Sequence, residues 1–223
     1  MKVVLTREPP RNDALRSILE LAIDVDEVPA TTTNYFQVAD VVAACQLLPR
    51  TVIVTSARAV EAAVALVTAT APEMVVAVGV TTASRLTELG VVDVQVASEE
   101  GARGVALFDF PGPVATIGAA TTRPELGVLL RERGLESQHV AAYETKGRTL
   151  GDDETRAVSS ADFVVVAAPS AWSVVRPFVA PDATVVVRGQ TTFEAVSADH
   201  FRVVIAPSDT DTVATILGRA LEA

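Results

Sequence analysis

Val52-Ile53-Val54-Thr55-Ser56, followed by Val76-Ala77-Val78-Gly79-Val80-Thr81-Thr82, sets a pattern that this chain uses twice. The second copy is Val164-Val165-Val166-Ala167-Ala168-Pro169-Ser170, followed by Val186-Val187-Arg188-Gly189-Gln190-Thr191-Thr192. In each copy an apolar strand pattern ends in small or turn-forming residues, and a second strand ends in Gly-x-Thr-Thr at the start of a helix pattern. The repeat predicts two similar α/β units that each present backbone N–H groups and hydroxyls at one edge.

Ten short apolar segments rich in β-branched residues extend this pattern over the chain. Continuous rather than alternating apolar strands are typical of a parallel sheet that is covered on both faces. Helix-patterned segments separate most of them, which predicts doubly wound parallel-sheet (flavodoxin-like) α/β domains. The predicted strands are residues 3–5, 25–28, 52–54, 75–78, 94–96, 114–117, 139–142, 163–166, 184–187 and 203–205.

The domain organisation follows from how these strands divide. Five lie in one block between Val52 and Tyr143, and the other five are split between the two ends of the chain. If the repeat is aligned, the second copy runs off the C-terminal end and continues at the N-terminal end, so the two units are predicted to be circular permutants of each other. We expect a discontinuous domain of residues 1–34 and 147–223 and an inserted domain of residues 35–146.

The two crossings between the domains fall at residues 31–37 and 144–148. The first is β-prone, so we expect the crossings to pair as a two-stranded hinge beside a cleft that can open and close. The alternative is that the crossings are ordinary loops in one compact domain.

Composition limits the partners. The net charge of −10 argues against binding to nucleic acid or to anionic lipid, both of which need a basic face. No apolar run approaches the roughly 18 residues that a membrane helix requires. A single cysteine, Cys45, excludes an internal disulfide and fits a reducing compartment. We therefore expect a cytoplasmic monomer without nucleic-acid or membrane partners.

The sequence lacks the motifs of several common kinds of catalytic or binding site. His139 and His200 have no Cys or carboxylate partners at metal-ligand spacing, so both are given structural roles and no metal is predicted. There is no phosphate-binding glycine loop and no Gly-x-Ser-x-Gly turn. Cys45 lies in a helix pattern with no obvious activating base.

Hydroxyl residues at predicted helix starts are the remaining candidates for chemistry. Unpaired N–H groups and the helix dipole at such positions bind carboxylates or phosphates, although these residues can also merely cap their own helices. The hydroxyl residues are Ser56, Thr81, Thr82, Thr121, Thr122, Ser170, Thr191, Thr192 and Ser208. Arginines near the same edges, which suit carboxylates or else lie on a solvated surface, are Arg7, Arg58, Arg123, Arg148 and Arg188. Four acidic residues oppose a uniformly basic cleft: Glu8, Glu99, Asp209 and Asp211.

Tyr143 is one of only two tyrosines, and it is predicted to end the last strand of the inserted domain, just before the connector. A phenol is protonated at neutral pH and can donate a proton or a hydrogen bond to a ligand. The alternative is an aromatic residue with a purely structural role at the hinge.

In chain order, the short motifs are Thr6-Arg7, Val54-Thr55-Ser56-Ala57-Arg58-Ala59-Val60, Val78-Gly79-Val80-Thr81-Thr82-Ala83, Arg123-Pro124-Glu125-Leu126, Tyr143-Glu144-Thr145, Pro169-Ser170 and Gly189-Gln190-Thr191-Thr192. Together they resemble uroporphyrinogen-III synthase over nearly the whole chain. There are departures: Ala167-Ala168 replaces a Thr-Ser pair, Arg188 replaces an apolar residue, and Gly118-Ala119-Ala120 lacks a Gly-rich or basic run.

The resemblance implies a cofactor-free cyclisation of hydroxymethylbilane, a linear tetrapyrrole with eight carboxylates, to uroporphyrinogen III in the tetrapyrrole pathway. The terminal hydroxyl leaves as water, ring D is inverted through a spiro intermediate, and the macrocycle closes in the interdomain cleft. Tyr143 is the implied acid. The implied substrate-binding residues are Thr6, Arg7, Ser56, Arg58, Thr81, Thr82, Arg123, Ser170, Arg188, Gly189, Thr191 and Thr192.

Two other functions stay open from the sequence. One is a non-catalytic two-lobed module that binds a tetrapyrrole or another anion for regulation, which the Ala167-Ala168 departure favours slightly. The other is an unrelated two-lobed binder of a sugar phosphate or an amino acid.

Overall fold

The computed structural model describes residues 1–97, 102–105, 107–199 and 201–222. Glu99, one of the acidic edge residues, and His200, one of the two histidines, lie outside these residues. The chain divides into two compact units. Unit 1 comprises Met1–Thr32 and Lys146–Ala223, and unit 2 comprises Thr33–Thr145.

The strands are β1 (Lys2–Leu5), β2 (Asp24–Glu27), β3 (Thr31–Tyr35), β4 (Thr51–Val54), β5 (Met74–Ala77), β6 (Gln95–Val96), β7 (Val114–Ala119), β8 (Ser137–Gly147), β9 (Phe163–Val166), β10 (Thr184–Val187) and β11 (Arg202–Ile205). The α-helices are α1 (Asp13–Leu19), α2 (Val38–Ala44), α3 (Val60–Thr70), α4 (Val80–Glu88), α5 (Ala102–Val105), α6 (Glu125–Glu132), α7 (Asp152–Ser159), α8 (Pro169–Val175), α9 (Gln190–Ser197) and α10 (Asp209–Leu221). Short 3-10 turns cover Ala57–Ala59 and Arg176–Phe178.

The sheet of unit 1 has the strand order β11-β10-β9-β1-β2, and its neighbouring strands pair in parallel. Every residue of β9 and β10 is buried, whereas the edge strands β2 and β11 are partly exposed. Buried valines alternate between two apolar clusters on opposite faces: Val164 and Val166 belong to one, and Val165 belongs to the other. The continuous valine run therefore reflects a strand that is covered on both sides.

The sheet of unit 2 has the order β3-β8-β7-β4-β5-β6, with β8-β7, β7-β4, β4-β5 and β5-β6 all parallel. Its core has the same two-sided form, since Val52 and Val54 lie in one apolar cluster and Ile53 in another. The two strand orders become the same when the strands of unit 1 are matched with those of unit 2 as follows: β9 with β4, β10 with β5, β11 with β6, β1 with β7 and β2 with β8. The permuted relation of the units is an inference from that order.

Parallel pairing brings the carboxyl ends of the strands to one edge of each sheet, which we call the carboxyl edge of that unit. Ser56 follows β4, Thr6 follows β1 and Arg188 follows β10, so these residues lie at the carboxyl edges. Ligands of open α/β sheets bind at this edge.

Two details differ from the sequence-based expectation. Cys45 lies one residue beyond α2, in an extended conformation, and not inside a helix. Tyr143 does not end its strand, because β8 continues to Gly147. Within the described ranges, none of the helices has both the length and the apolar character to cross a bilayer.

Candidate functional site

Tyr143 is directed at the carboxyl edge of unit 2. Its hydroxyl donates a hydrogen bond to Ser56 Oγ at 3.0 Å, and only 6% of the residue is exposed. Ser56 follows β4 and Tyr143 lies in β8, so the contact joins strands that flank β7 in the sheet. A buried phenol thus has a fixed position and a defined hydrogen-bond partner.

Arg58 completes this group. Its guanidinium carbon lies 5.4 Å from the centroid of the Tyr143 ring, and its Nη1 donates to Thr145 Oγ1 at 3.1 Å. The Arg58 backbone N–H donates to Ser56 Oγ at 3.2 Å, so Ser56 caps the following 3-10 turn. A cation over the face of an aromatic ring is attracted by the ring quadrupole. The arrangement therefore holds positive charge beside the phenol.

Gly118, in β7, allows a close approach between β7 and Thr55, the residue that follows β4. A Cβ built on Gly118 would lie 2.0 Å from Thr55 Oγ1, which itself donates to the Ile117 carbonyl at 3.0 Å. The β7-β8 register shifts between Gly118 and Ala119, and Ala120 N–H donates to the Tyr143 carbonyl at 2.7 Å. The end of β7 is thereby fastened to the strand that carries the phenol.

His139 lies directly opposite Thr116 in the β7-β8 register. Its Nε2 lies 2.8 Å from the Ala119 carbonyl oxygen and its Nδ1 lies 2.9 Å from Thr116 Oγ1. Because a carbonyl only accepts, Nε2 carries the hydrogen, and in the neutral ring the Thr116 hydroxyl donates to Nδ1. His139 thus ties the two sides of the register shift together.

Tyr143, Ser56 and His139 border a cavity of about 670 Å³ within unit 2. Its lining comes from β7 and β8, from residues that follow β4 and β5, and from α6 and the loop that leads to it. The lining residues are Thr55, Ser56, Val78, Thr116, Ala119, Thr121, Thr122, Arg123, Pro124, Glu125, Leu126, Gly127, Arg131, His139 and Tyr143.

The carboxyl edge of unit 1 is built differently. Thr6 is buried, and its hydroxyl donates to the Val165 carbonyl at 2.8 Å, so it fastens β1 to β9. Arg188 forms an ion pair with Asp209, and its Nη2 donates to the Pro207 carbonyl at 3.3 Å. Arg7 Nη1 lies 3.9 Å from the same Asp209 carboxylate oxygen.

The two Gly-x-Thr-Thr motifs open helices, but the glycines are the N-caps. Gly79 precedes α4, and Gly189, with φ +98°, precedes α9. The second threonine of each motif is buried: Thr82 is 6% exposed and Thr192 is 3% exposed. The hydroxyl-bearing residues exposed at these helix starts are therefore Thr81 and Thr191.

Of the predicted site residues, the structure brings Ser56, Arg58 and Tyr143 into mutual contact and places Arg123 on the same cavity. Arg7 and Arg188 share the Asp209 carboxylate, and Arg148 pairs with Glu154 at 3.1 Å. Ser170 is exposed in the first turn of α8.

Four residues that shape this region are not among the predicted site residues: Thr55, Thr116, Gly118 and His139. A signal for two of them existed, because Thr55 and Gly118 end neighbouring strands of the predicted sheet. The pairing of Thr116 with His139 required the strand register.

Comparison with known proteins gives a consistent picture. The model of the family described as HEM4, uroporphyrinogen-III synthase HemD, matches residues 13–216. No curated protein sequence matches the chain significantly.

Among solved structures, a mutant uroporphyrinogen III synthase of the extremely thermophilic bacterium Thermus thermophilus aligns with a TM-score of 0.67 at 16% identity, covering 100% of this chain and 99% of that one. A uroporphyrinogen-III synthetase of Helicobacter pylori aligns with a TM-score of 0.67 at 17% identity, covering 97% of this chain and 98% of that one. At these identities the structural likeness shows a shared fold.

Proposed function

Because the chain belongs to the uroporphyrinogen-III synthase family, we propose that the carboxyl edge of unit 2 around Tyr143 assists the loss of water from its substrate. The enzyme cyclises hydroxymethylbilane to uroporphyrinogen III in tetrapyrrole biosynthesis. The observation that carries the proposal is a buried phenol that borders a cavity of about 670 Å³ and is held by Ser56 at 3.0 Å.

The loss of water requires only a weak acid. The pyrrole nitrogen lone pair pushes electrons toward the terminal carbon, the C–O bond breaks, and the departing hydroxyl takes one proton and leaves as water. Ring D attacks the resulting azafulvenium carbon through the α-carbon that already carries its bridge to ring C, which gives the spiro intermediate. The bond between that α-carbon and the bridge methylene then breaks, and the methylene bonds to the other α-carbon of ring D, so that ring D is inverted. A proton is lost when the macrocycle closes, so the overall change is the loss of one water molecule.

Tyr143 suits this first step. Its hydroxyl can turn from Ser56 Oγ to the departing hydroxyl and give up its proton there. The Ser56 hydroxyl can then donate to the phenolate oxygen, since a hydroxyl both donates and accepts. The Arg58 guanidinium, 5.4 Å from the ring centroid, favours the negative charge that develops. Tyr143 is proposed as the catalytic residue, and Ser56 and Arg58 as the groups that stabilise its charge.

The remaining task is to hold and orient a flexible polycarboxylate. Orientation of reacting groups contributes about 7–11 kcal/mol in favourable cases. Substrate-binding roles are proposed for polar residues and one glycine at the two carboxyl edges. In unit 2 these are Ser56, Arg58, Thr81, Thr82 and Arg123, and in unit 1 they are Thr6, Arg7, Ser170, Arg188, Gly189, Thr191 and Thr192. The burial of Thr6, Thr82 and Thr192 limits these three to roles through the backbone or the strand ends.

The remaining features of the proposal concern partners and location. The net charge of −10 supports an enzyme that binds neither nucleic acid nor anionic membranes. A single cysteine supports a cytoplasmic location. The enzyme is proposed to act as a monomer.

The test uses freshly prepared hydroxymethylbilane and measures the isomer formed. Uncatalysed closure gives the type I isomer without ring inversion, so a dominant type III product is expected from the unchanged enzyme. Tyr143→Phe is expected to lower kcat by about 100-fold or more, as for the loss of a general acid. Turnover by Tyr143→Phe at the wild-type rate would remove its acid role.

Tyr35→Phe is the matched control, because it removes the other tyrosine hydroxyl of the chain and keeps the ring that lies 6.1 Å from the Tyr143 ring. Its kcat is expected to stay close to that of the unchanged enzyme. The family match does not favour the non-catalytic binding module raised by the sequence. An unchanged type I product from the wild-type enzyme would restore that alternative.

A further inference from the structure

A second cavity lies at the opposite edge of the unit 1 sheet, where its strands begin, which we call the amino edge. The cavity has a volume of about 420 Å³, and all of its lining residues belong to unit 1. They lie at or beside the starts of β1, β9, β10 and β11 and in the last turn of α10. The cavity is therefore at the other end of the strands from the residues that are proposed to bind the substrate.

The strand register brings three of the lining residues side by side. Phe163 pairs with Thr184, and Thr184 pairs with Arg202, so the three residues begin the neighbouring strands β9, β10 and β11. Directly paired residues have their side chains on the same face of a sheet. Phe163 packs in one apolar cluster with Ile216 of α10, so this is the face that α10 covers. Arg219 follows Ile216 by three positions and thus lies on the same side of the helix.

Thr184 contributes a polar group that the protein leaves unpaired. Only 4% of the residue is exposed, and within the described ranges its hydroxyl has no hydrogen-bond partner. Thr51, the first residue of β4, is also buried, but its hydroxyl donates to the Pro111 carbonyl at 2.8 Å. Because buried polar groups normally have a partner, the Thr184 hydroxyl indicates that the cavity holds one.

Two guanidinium groups line the same cavity. Arg202 begins β11 and Arg219 lies in the last turn of α10. Neither forms an ion pair with a carboxylate in the part of the chain that the structure describes. A guanidinium carries five N–H groups in a planar fork that matches a carboxylate or a phosphate. Both forks are therefore available to an oxyanion.

Two carboxylates at the cavity limit the charge of its ligand. Asp162 Oδ2 accepts a hydrogen bond from the Lys2 backbone N–H at 2.7 Å, which fixes its position, and Asp182 is exposed in the turn before β10. Both repel further negative charge. A polycarboxylate such as the tetrapyrrole substrate is thus disfavoured here, whereas one anionic group can be neutralised by the guanidinium groups.

We propose that the amino-edge cavity binds a small organic molecule with one oxyanionic group, which is a carboxylate or a phosphate. Arg202 and Arg219 bind the oxyanion, the Thr184 hydroxyl donates to it, and Phe163 contacts the apolar part of the molecule. The proposed site goes beyond the cyclisation of hydroxymethylbilane and does not depend on it.

The main experiment titrates the unchanged protein with benzoate by isothermal calorimetry at low ionic strength. Benzoate supplies one carboxylate and one ring, and it is expected to bind with a Kd of about 1 mM or lower. Benzamide has the same shape without the charge and is expected to bind at least about tenfold more weakly. Phenyl phosphate in place of benzoate shows which oxyanion the site prefers. The absence of saturable binding by both anions, or equal binding of benzoate and benzamide, would overturn the site.

Arg202→Gln locates the binding. The variant is expected to weaken benzoate binding about tenfold, as for the loss of one hydrogen bond to a charged group. Arg156→Gln is the matched control, because it removes an exposed arginine of unit 1 that pairs with Asp153 in α7 and does not line the cavity. Thermal unfolding checks that both variants are folded. Wild-type affinity in a folded Arg202→Gln variant would contradict the assignment.

Thr184→Val tests the unpaired hydroxyl with a second measurement. Without ligand its Tm should not be lower than that of the wild type, since no hydrogen bond is lost, whereas Thr51→Val loses the bond to Pro111 and should have a lower Tm. With saturating benzoate, the rise in Tm should be smaller in Thr184→Val than in the wild type. An unchanged rise would mean that the hydroxyl does not face the ligand.

Enzyme kinetics separate this site from the substrate-binding edges. Benzoate at concentrations that saturate the calorimetric binding is expected to leave KM for hydroxymethylbilane unchanged. Competitive inhibition with an inhibition constant equal to the benzoate Kd would overturn the site, because benzoate would then bind where the substrate binds. A wild-type protein that binds benzoate but forms only the type I isomer would contradict the proposed function and leave the amino-edge site supported.

Discussion

Replacing Gly118 by alanine is expected to destabilise the protein by about 2–4 kcal/mol. The added Cβ would lie 2.0 Å from Thr55 Oγ1, far inside the contact distance of the two atoms. Overpacking of this kind costs about 1–3 kcal/mol. Relief requires the Thr55 hydroxyl to move, which breaks its hydrogen bond to the Ile117 carbonyl at 3.0 Å and costs about 1 kcal/mol more.

The assay is urea unfolding followed by far-UV circular dichroism, with a double-mutant cycle against Thr55→Ala. Without Oγ1, the nearest atom of residue 55 to the new Cβ is its own Cβ at 3.4 Å, an ordinary contact distance. Gly118→Ala should therefore cost little in the Thr55→Ala background. An equal loss of stability in both backgrounds would refute the reasoning, because the cost would then not arise from the hydroxyl.

Gly218→Ala is the control for the same change elsewhere. Gly218 lies inside α10, and an added Cβ meets no atom within 4 Å. Alanine is favoured over glycine in a helix interior by about 1 kcal/mol, so this variant is expected to be more stable than the wild type. The two glycine variants thus distinguish a steric clash at Gly118 from the general effect of replacing a glycine by alanine.

Two further predictions concern ionisable groups. Arg50 donates two hydrogen bonds to the Glu73 carboxylate, at 2.5 and 2.8 Å, which lowers the pKa of Glu73 below its usual 4.5. The ion pair therefore stabilises the fold at pH values above the usual pKa of Glu73, and its contribution is lost as the pH falls through the lowered pKa. Arg50→Gln should reduce the urea midpoint at pH 7 but not at pH 2. An equal reduction at both pH values would contradict the role of the ion pair. Burial raises the pKa of the Cys45 thiol. Alkylation of Cys45 by iodoacetamide at pH 7 should therefore be slower than alkylation of glutathione, and it should accelerate as the pH rises. An alkylation rate equal to that of glutathione would be inconsistent with the burial of Cys45.

The fold could be predicted from the sequence because its strands are buried on both faces. Every predicted apolar segment overlaps a strand of the structure, from β1 to β11, and the β-prone segment at residues 31–36 overlaps β3. The predicted ends of the strands are less accurate where burial changes along a strand. β6 has only two residues and both are exposed, whereas β8 extends to Gly147, well beyond its apolar part. A hydrophobic pattern marks the buried part of a strand and not its hydrogen-bonded length.

The candidate site was harder to predict, since its contacts depend on sheet order. Ser56 and Tyr143 are 87 positions apart in sequence, and nothing in either motif shows that one hydroxyl donates to the other. The sequence predicts that Asp209 opposes a uniformly basic edge, and only the structure shows that it pairs with Arg188 and lies close to Arg7. Residue types at strand ends are visible in sequence, whereas their partners require the register and the order of the strands.

The two carboxyl edges share one feature that explains both arrangements. In each unit, small residues stand at the end of the strand over which the functional side chains meet. In unit 2 it is Gly118 of β7, between the strands that lead to Ser56 and Tyr143; in unit 1 it is Ala167-Ala168 after β9, between the strands that lead to Arg188 and Arg7. A large residue at either place would occupy the space in which the flanking side chains approach each other. A short side chain on the intervening strand thus leaves room for the contact of Tyr143 with Ser56 in one unit and for the contact of Arg188 with Asp209 in the other. What differs between the two units is the chemistry of the residues that the flanking strands carry.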